Sequence, residues 1–187
     1  MRWFNEPREW RADGADLTIV TDEKSDFWQK TYYGWNTDSG HVYGEEVEGD
    51  FTAEVDAAAA YAAHYDQCGL MLRINGDHWL KAGVEYAHGH CTLSTVLTRG
   101  SSDWAVGPEI SVADSVHLRL TRRGAAVCVQ WRPTGGDGPF QTLRLGSLSD
   151  EPKALVGPMA CSPTRAGLTA TFRGFRIGPA VDFADGV

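Results

Sequence analysis

Between Gln67 and Thr98 the chain alternates apolar and polar side chains in three successive runs, a period of two that no helix accommodates. In Gln67 to Ile74, Cys68, Leu70, Leu72 and Ile74 fall on one face, with Gln67, Gly69, Met71 and Arg73 on the other. Asn75-Gly76 follows, the dipeptide that best closes a two-residue hairpin. In Trp79 to Tyr86, Leu80, Ala82, Val84 and Tyr86 form the apolar set and Trp79, Lys81, Gly83 and Glu85 oppose them. A third run, from about Cys91 to Thr98, turns Leu93, Thr95 and Leu97 inward and Ser94, Val96 and Thr98 outward. Strands pairing as neighbours bring Gln67, Arg73, Trp79, Lys81, Glu85, Ser94 and Thr98 onto one sheet face. Three charges and a tryptophan sharing a face are more than solubility requires.

The flanking sequence extends the same pattern. Leu17 to Val20 reads as a first strand after the RADGAD turn of Arg11 to Asp16. Ser25 to Trp35 (SDFWQKTYYGW) carries five aromatics in eleven residues, too many for one side of a strand, so some belong to the surface or to a cleft. Asn36 to Gly44 is polar and glycine-bounded and reads as a loop. Phe51 to Asp56 alternates with period two, and the alanine-rich Ala57 to Tyr65 reads as strand extension or loop. Downstream, Val116, Leu118 and Leu120, then Ala125, Val127, Val129 and Trp131, alternate around a turn at Arg122 to Gly124. Pro133 to Pro139 is a loop, Leu143 to Leu148 a short strand, and Leu168 to Ile177 a closing strand whose phase breaks at Gly174. The tail from Gly178 to Val187 is expected to fray. About ten or more short strands with almost no helical periodicity predict an all-β sandwich within a single domain spanning residues 1–187.

Composition narrows the partners. The formal charge of −8 argues against nucleic acid and against an anionic membrane, either of which rewards a basic field. No run approaches the roughly 18 apolar residues of a membrane span. Cys68, Cys91, Cys128 and Cys161 are too widely spaced for a CxxC clip, and the opening MRWFNEPREW lacks an apolar core. Reduced thiols and a cytoplasmic location are therefore expected. Seven tryptophans fit a flat ligand such as a sugar.

The segments SDFW, YDQCGLMLR, WLKAGVEY, LSTVLT and SSDW, in that order over roughly residues 3 to 177, resemble an uncharacterised family. It is the one named for the regulation of enolase, within the concanavalin A-like lectin/glucanase superfamily. The resemblance implies a concanavalin A-like jelly-roll sandwich of two antiparallel sheets, one of them concave. It also implies the residues to watch: Asp26, Trp28, Asp66, Gln67, Trp79, Lys81, Glu85, Ser94, Thr98, Asp103 and Trp104. Superfamily relatives bind or cleave carbohydrates, so the implied ligand is a saccharide or other polyhydroxy small molecule.

The candidate binding set is Gln67, Arg73, Trp79, Lys81, Glu85, Ser94, Thr98, Trp35, Asp103 and Trp104. Trp35, Trp79 and Trp104 offer rings for stacking. Asp26 and Asp103, each in a Ser-Asp-aromatic tripeptide, are either ligand contacts or acceptors in a capped turn. Lys81 and Glu85 stand about 13 Å apart along their strand, so direct contact needs a neighbouring strand. Glu85 is the candidate general acid or base in an alternative reading as a glycoside-processing enzyme. That chemistry needs a second carboxyl about 5–5.5 Å or 6.5–9.5 Å away, and Glu54, Asp66 and Asp103 are the candidates. The compact ExDxxE motif of the laminarinase-like branch is absent, since Glu54-Val-Asp56 runs into alanines. Glu85, His88 and His90 form too weak a set to predict a metal, and no nucleotide-binding glycine motif is present, so no cofactor is expected. A third reading is a protein-interaction module using exposed aromatics. The chain is expected to act as a monomer or homodimer.

Overall fold

The structure, a computed structural model, describes residues 1–183. Among these residues there are sixteen strands and no helix. Labels follow chain order. One sheet runs β1 (Arg2–Phe4), β6 (His41–Glu48), β15 (Lys153–Cys161), β8 (Asp66–Arg73), β9 (His78–Ala87), β10 (His90–Arg99) and β11 (Ser102–Ile110). The other runs β14 (Gln141–Ser147), β13 (Ala126–Pro133), β12 (Val116–Arg123), β7 (Phe51–Ala59), β16 (Thr169–Gly178), β3 (Asp16–Val20) and β2 (Glu9–Asp13). All pairings are antiparallel, and the two sheets stack as a jelly-roll sandwich. A short ribbon, β4 (Phe27–Gln29) with β5 (Asn36–Asp38), completes the set.

The alternation of β8, β9 and β10 is realised as expected. Cys68, Leu70, Leu72, Leu80, Ala82, Val84, Leu93 and Leu97 are buried in the main core against Phe51, Val55, Leu118, Leu120, Val129 and Phe172 of the second sheet. Burying each of the larger side chains contributes about 1.5–3 kcal/mol, so the pattern sets both sheet and register.

Several local expectations change. Asn36 to Gly44 is β5 and the start of β6 rather than a loop. Gly40 is there for close packing: a Cβ on it would lie 2.2 Å from the Phe27 ring. The RADGAD turn is the hinge of a β2–β3 hairpin at Gly14, and β2 escaped notice because it is an edge strand exposed along its whole length. β11 is likewise an edge strand with little inward alternation. The alanine run extends β7 to Ala59, where small side chains sit beside Phe172 and Ala170 of β16. The broken phase at Gly174 is a bulge, with that glycine at φ +61°. The tail is tied down further than expected, since Arg123 donates to the carbonyls of Ala180 and Val181 and the Val181 amide donates to Thr52. Residues 184–187 of that tail lie outside the described residues.

A second apolar cluster forms on the outer face of the first sheet. Phe27 of the ribbon covers Val42, Met71, Trp79, Val96, Leu155, Met159 and Cys161. That outer face is thus half roofed by the chain between β3 and β6, and only its remaining half is open.

Candidate functional site

Register builds the outer face row by row. Gln67 pairs with Glu85, Gly69 with Gly83, Met71 with Lys81 and Arg73 with Trp79. Across the next strand, Ser94 faces Gly83, Val96 faces Lys81 and Thr98 faces Trp79, and Val96 in turn faces Trp104 of β11. The glycine pair separates the Lys81 row from the Glu85 row. A Cβ on Gly69 would stand 2.0 Å from the Ala82 carbonyl, and one on Gly83 would stand 2.1 Å from that of Cys68. Only glycine lets β8 and β9 approach there. The result is a hollow of about 10 Å³ whose lining includes Gln67, Lys81, Glu85 and Ser94.

Above this floor lies a cleft of about 300 Å³. Its floor holds Gln67, Lys81, Glu85, Val96 and Asp26. One wall is the β4–β5 segment, which contributes Trp28, Tyr33 and Trp35; Trp104 and Tyr65 form others, and Pro163 and Thr164 complete the lining. Tyr33 and Trp35 stack with ring centres 4.7 Å apart and planes 14° from parallel. Trp28 meets Tyr33 edge-on and anchors its indole N–H on the Thr31 carbonyl. The tight loop needs left-handed backbone at Lys30, Tyr32 and Gly34, and Tyr65 across the cleft is also left-handed at φ +66°. Non-glycine residues in that region cost about 1–3 kcal/mol each and cluster at functional sites.

Hydrogen bonding fixes the polar groups. The Lys81 ammonium, buried, donates to Asp26 Oδ1 at 3.2 Å. Burial would lower its pKa, but the charge of Asp26, with Cys161 and Glu85 beside it, holds it above the usual lysine value, so Lys81 is a cation. The Trp104 indole N–H is shared between Glu85 Oε2 at 2.9 Å and Ser94 Oγ at 3.0 Å. Glu85 Oε1 has no hydrogen-bond partner among the described residues. Burial, the neighbouring Tyr33 phenol and the charge of Glu85 push the Tyr65 phenol up to about 12, so it remains a neutral hydroxyl.

Of the residues singled out by sequence, Gln67, Lys81, Glu85, Trp35 and Trp104 meet in the cleft, and Ser94 supports Trp104 from below. The other four are elsewhere. Trp79 is fully buried beneath Phe27, with its N–H on the Gly76 carbonyl, because the ribbon roofs its row. Arg73 makes a two-pronged pair with Asp38 of β5 and lies 4.1 Å above the Phe4 ring. Thr98 is buried against Ser102, whose hydroxyl accepts the Gln29 amide. Asp103 points away and pairs with Arg144 at 3.0 Å.

None of the three candidates for a second carboxyl reaches the cleft. Asp66 is buried and bound by Arg165, Ser162 and the amides of Ala62 and Ala63. Glu54 lies on the second sheet among His117, Arg119 and Arg176, and Asp103 is held as above. The second carboxyl in the cleft is Asp26. Tyr33 and Tyr65 were not singled out; the aromatic density of residues 25–35 signalled the first, whereas nothing local marked the second. His88 lies against His64, and His90 bonds Glu109; among the described residues no cluster of three or more metal-ligating side chains forms.

Comparison with known proteins agrees with this architecture. "Regulation of enolase protein 1" of Saccharomyces cerevisiae is 42% identical over 170 residues, which cover 91% of this chain and 85% of that protein. The crystal structure of a functionally unknown S. cerevisiae protein superimposes with a TM-score of 0.91 at 39% identity, covering 97% of both chains. A GH43 protein from Bacillus licheniformis, BlXynB, matches with a TM-score of 0.67 at 15% identity over 89% of this chain and 33% of that one, a likeness of fold alone. With residues 3–180 matching its family description, the chain belongs to the family described as "Protein of unknown function (DUF1349)".

Proposed function

We propose that the protein is a carbohydrate-binding sandwich domain whose ligand enters the cleft over Glu85. The observation that carries this reading is the combination of aromatic walls with a sparse polar floor in a cleft of about 300 Å³. Trp35, Tyr33 and Trp104 offer apolar ring faces to the C–H face of a sugar, and Gln67 and Glu85 Oε1 offer partners to its hydroxyls. That volume is at the small end of ligand sites, matching one or two rings rather than a long polymer. The GH43 neighbour supports the same class by fold. Four free, buried thiols accord with a reducing compartment, and we place the protein in the cytoplasm as a monomer or homodimer.

A hydrolytic reading has one observation in its favour, the presence of Asp26 and Glu85 in the same cleft. A glycosidase needs one of its two carboxyls to hold a proton it can give. Lys81 engages Asp26 and the Trp104 indole engages Glu85 Oε2, contacts that hold both carboxyls in place, while the aromatic walls serve binding directly, so binding is the better supported function.

The test is calorimetric titration with a panel of mono- and disaccharides against the native protein and Trp104→Ala. Removing that ring is expected to weaken a bound sugar at least about tenfold, the equivalent of about 1.4 kcal/mol. Silence across the panel, or a Trp104→Ala protein that binds as before, rejects the proposal.

A further inference from the structure

The charge balance inside the cleft allows the ligand class to be narrowed, and this step rests on the saccharide reading above. Two carboxylates, Asp26 and Glu85, line the cleft against one ammonium, Lys81. Lys81 is already bound to Asp26 at 3.2 Å, so this pair is close to neutral seen from the cleft. What remains is Glu85, buried, with one oxygen held by Trp104 and the other without a partner among the described residues. Among the described residues no further cationic side chain lines the cleft. An anionic sugar would therefore bring a second negative charge against the buried Glu85, where repulsion is less screened than at the open surface.

The walls have the same bias. Five aromatic side chains line the cleft: Trp28, Tyr33, Trp35, Tyr65 and Trp104. Their π-faces are negative, and an ammonium within about 6 Å of several of them is attracted by each. Tyr65 reinforces this, because a phenol pushed up to about 12 contributes a ring and a neutral hydroxyl but no competing charge. A carboxylate with a free oxygen, set among aromatic rings, is the environment a protonated amine seeks.

From this we infer that the cleft takes an amine-bearing saccharide in preference to its neutral and acidic counterparts, with the ammonium set between Glu85 and the aromatic walls and the ring stacked on the β4–β5 segment.

The experiment uses four probes on the full chain: glucosamine, glucose, glucuronate and choline, titrated at about pH 6, where an amine is protonated. Glucosamine is expected to bind about tenfold more tightly than glucose, with glucuronate weakest and the glucosamine advantage shrinking as salt rises. Glu85→Gln keeps an acceptor for Trp104 and removes the charge, so the ratio of glucosamine to glucose affinity should fall to about one, whatever the change in glucose binding itself. Trp35→Ala, at an exposed loop position, should weaken both sugars and leave thermal unfolding unchanged. Equal binding of glucose, glucosamine and glucuronate overturns the charge inference while leaving saccharide binding intact. Binding of choline without any sugar supports the cation cage and overturns the saccharide reading, and silence toward all four probes overturns both.

Discussion

Lys81 illustrates how a single residue's role depends on a partner far along the chain. An ammonium with 4% of its side chain exposed is tolerated in the sheet because Asp26, 55 residues earlier, stands 3.2 Å away. Removing one member of a buried pair leaves the other charge without compensation, which costs about 3–5 kcal/mol. Lys81→Met should therefore lower the unfolding free energy by about 3 kcal/mol, while Lys81→Met combined with Asp26→Leu should recover most of it. A denaturant titration reads this directly, and a single variant within about 0.5 kcal/mol of wild type would contradict the assignment. The two tryptophans of the site face make the same point. Trp79 and Trp104 both read as stacking rings in the sequence, yet Trp79 is buried under Phe27 and Trp104 is partly exposed at the cleft. Trp79→Ala should cost about 3–5 kcal/mol as a large-to-small core change, seen as a drop in the thermal midpoint, and Trp104→Ala should cost far less.

At the scale of the element, the central hairpin depends on its glycines as much as on its apolar residues. Gly69 and Gly83 face each other in register, and a methyl group on either would collide with backbone of the opposite strand. Backbone cannot swing aside as a flexible side chain does. Gly83→Ala should cost more than about 3 kcal/mol or abolish soluble expression, whereas Gly138→Ala, with open space around it, should change the denaturation midpoint little. A Gly83→Ala protein with native stability would show that the close approach is not required. The β4–β5 ribbon is the other decisive element, because it roofs Trp79 with Phe27 and walls the cleft with Trp28, Tyr33 and Trp35. Its aromatic richness was readable in the sequence, but the division of those rings between roof and wall was not.

For the whole molecule, stability depends on groups that titrate with opposite signs. On the second sheet the polar His117 ring, 3.9 Å from Glu54, helped by Arg119 and Arg176, holds Glu54 down at about 2 against an ordinary 4.5. Asp66 is also held low: burial opposes this, but Arg165, Ser162 and two backbone amides outweigh it. A depressed acid contributes stability above its unfolded value and loses it as pH falls toward the folded one. His117 has the opposite sign, since Glu54 and Asp56 raise its pKa above 6.5; its contribution is full below 6.5 and fades as pH rises through the raised value. Stability should thus peak between about pH 4.5 and 6.5 and decline on both sides. Glu54→Gln should flatten both limbs, as it removes a depressed acid and the main support of His117. A midpoint that stays constant from about pH 3 to 5 would refute the acid limb.

Alternation is a local property, and it carried the sandwich, the inward faces and the register of β8, β9 and β10, because a one-residue slip would expose every apolar side chain it now buries. The family resemblance in the sequence carried the residues worth watching, Asp26 and Trp28 among them. What covers the outward face is a matter of long-range placement. The segment 26–38, with the ribbon at 27–38, reaches the sheet through Arg73–Asp38 and Lys81–Asp26, contacts 35 and 55 residues apart in sequence. No periodicity within either partner encodes such a meeting, so the folded chain alone separates a buried tryptophan and a structural arginine from the Gln67, Lys81 and Glu85 floor that stays open to a ligand.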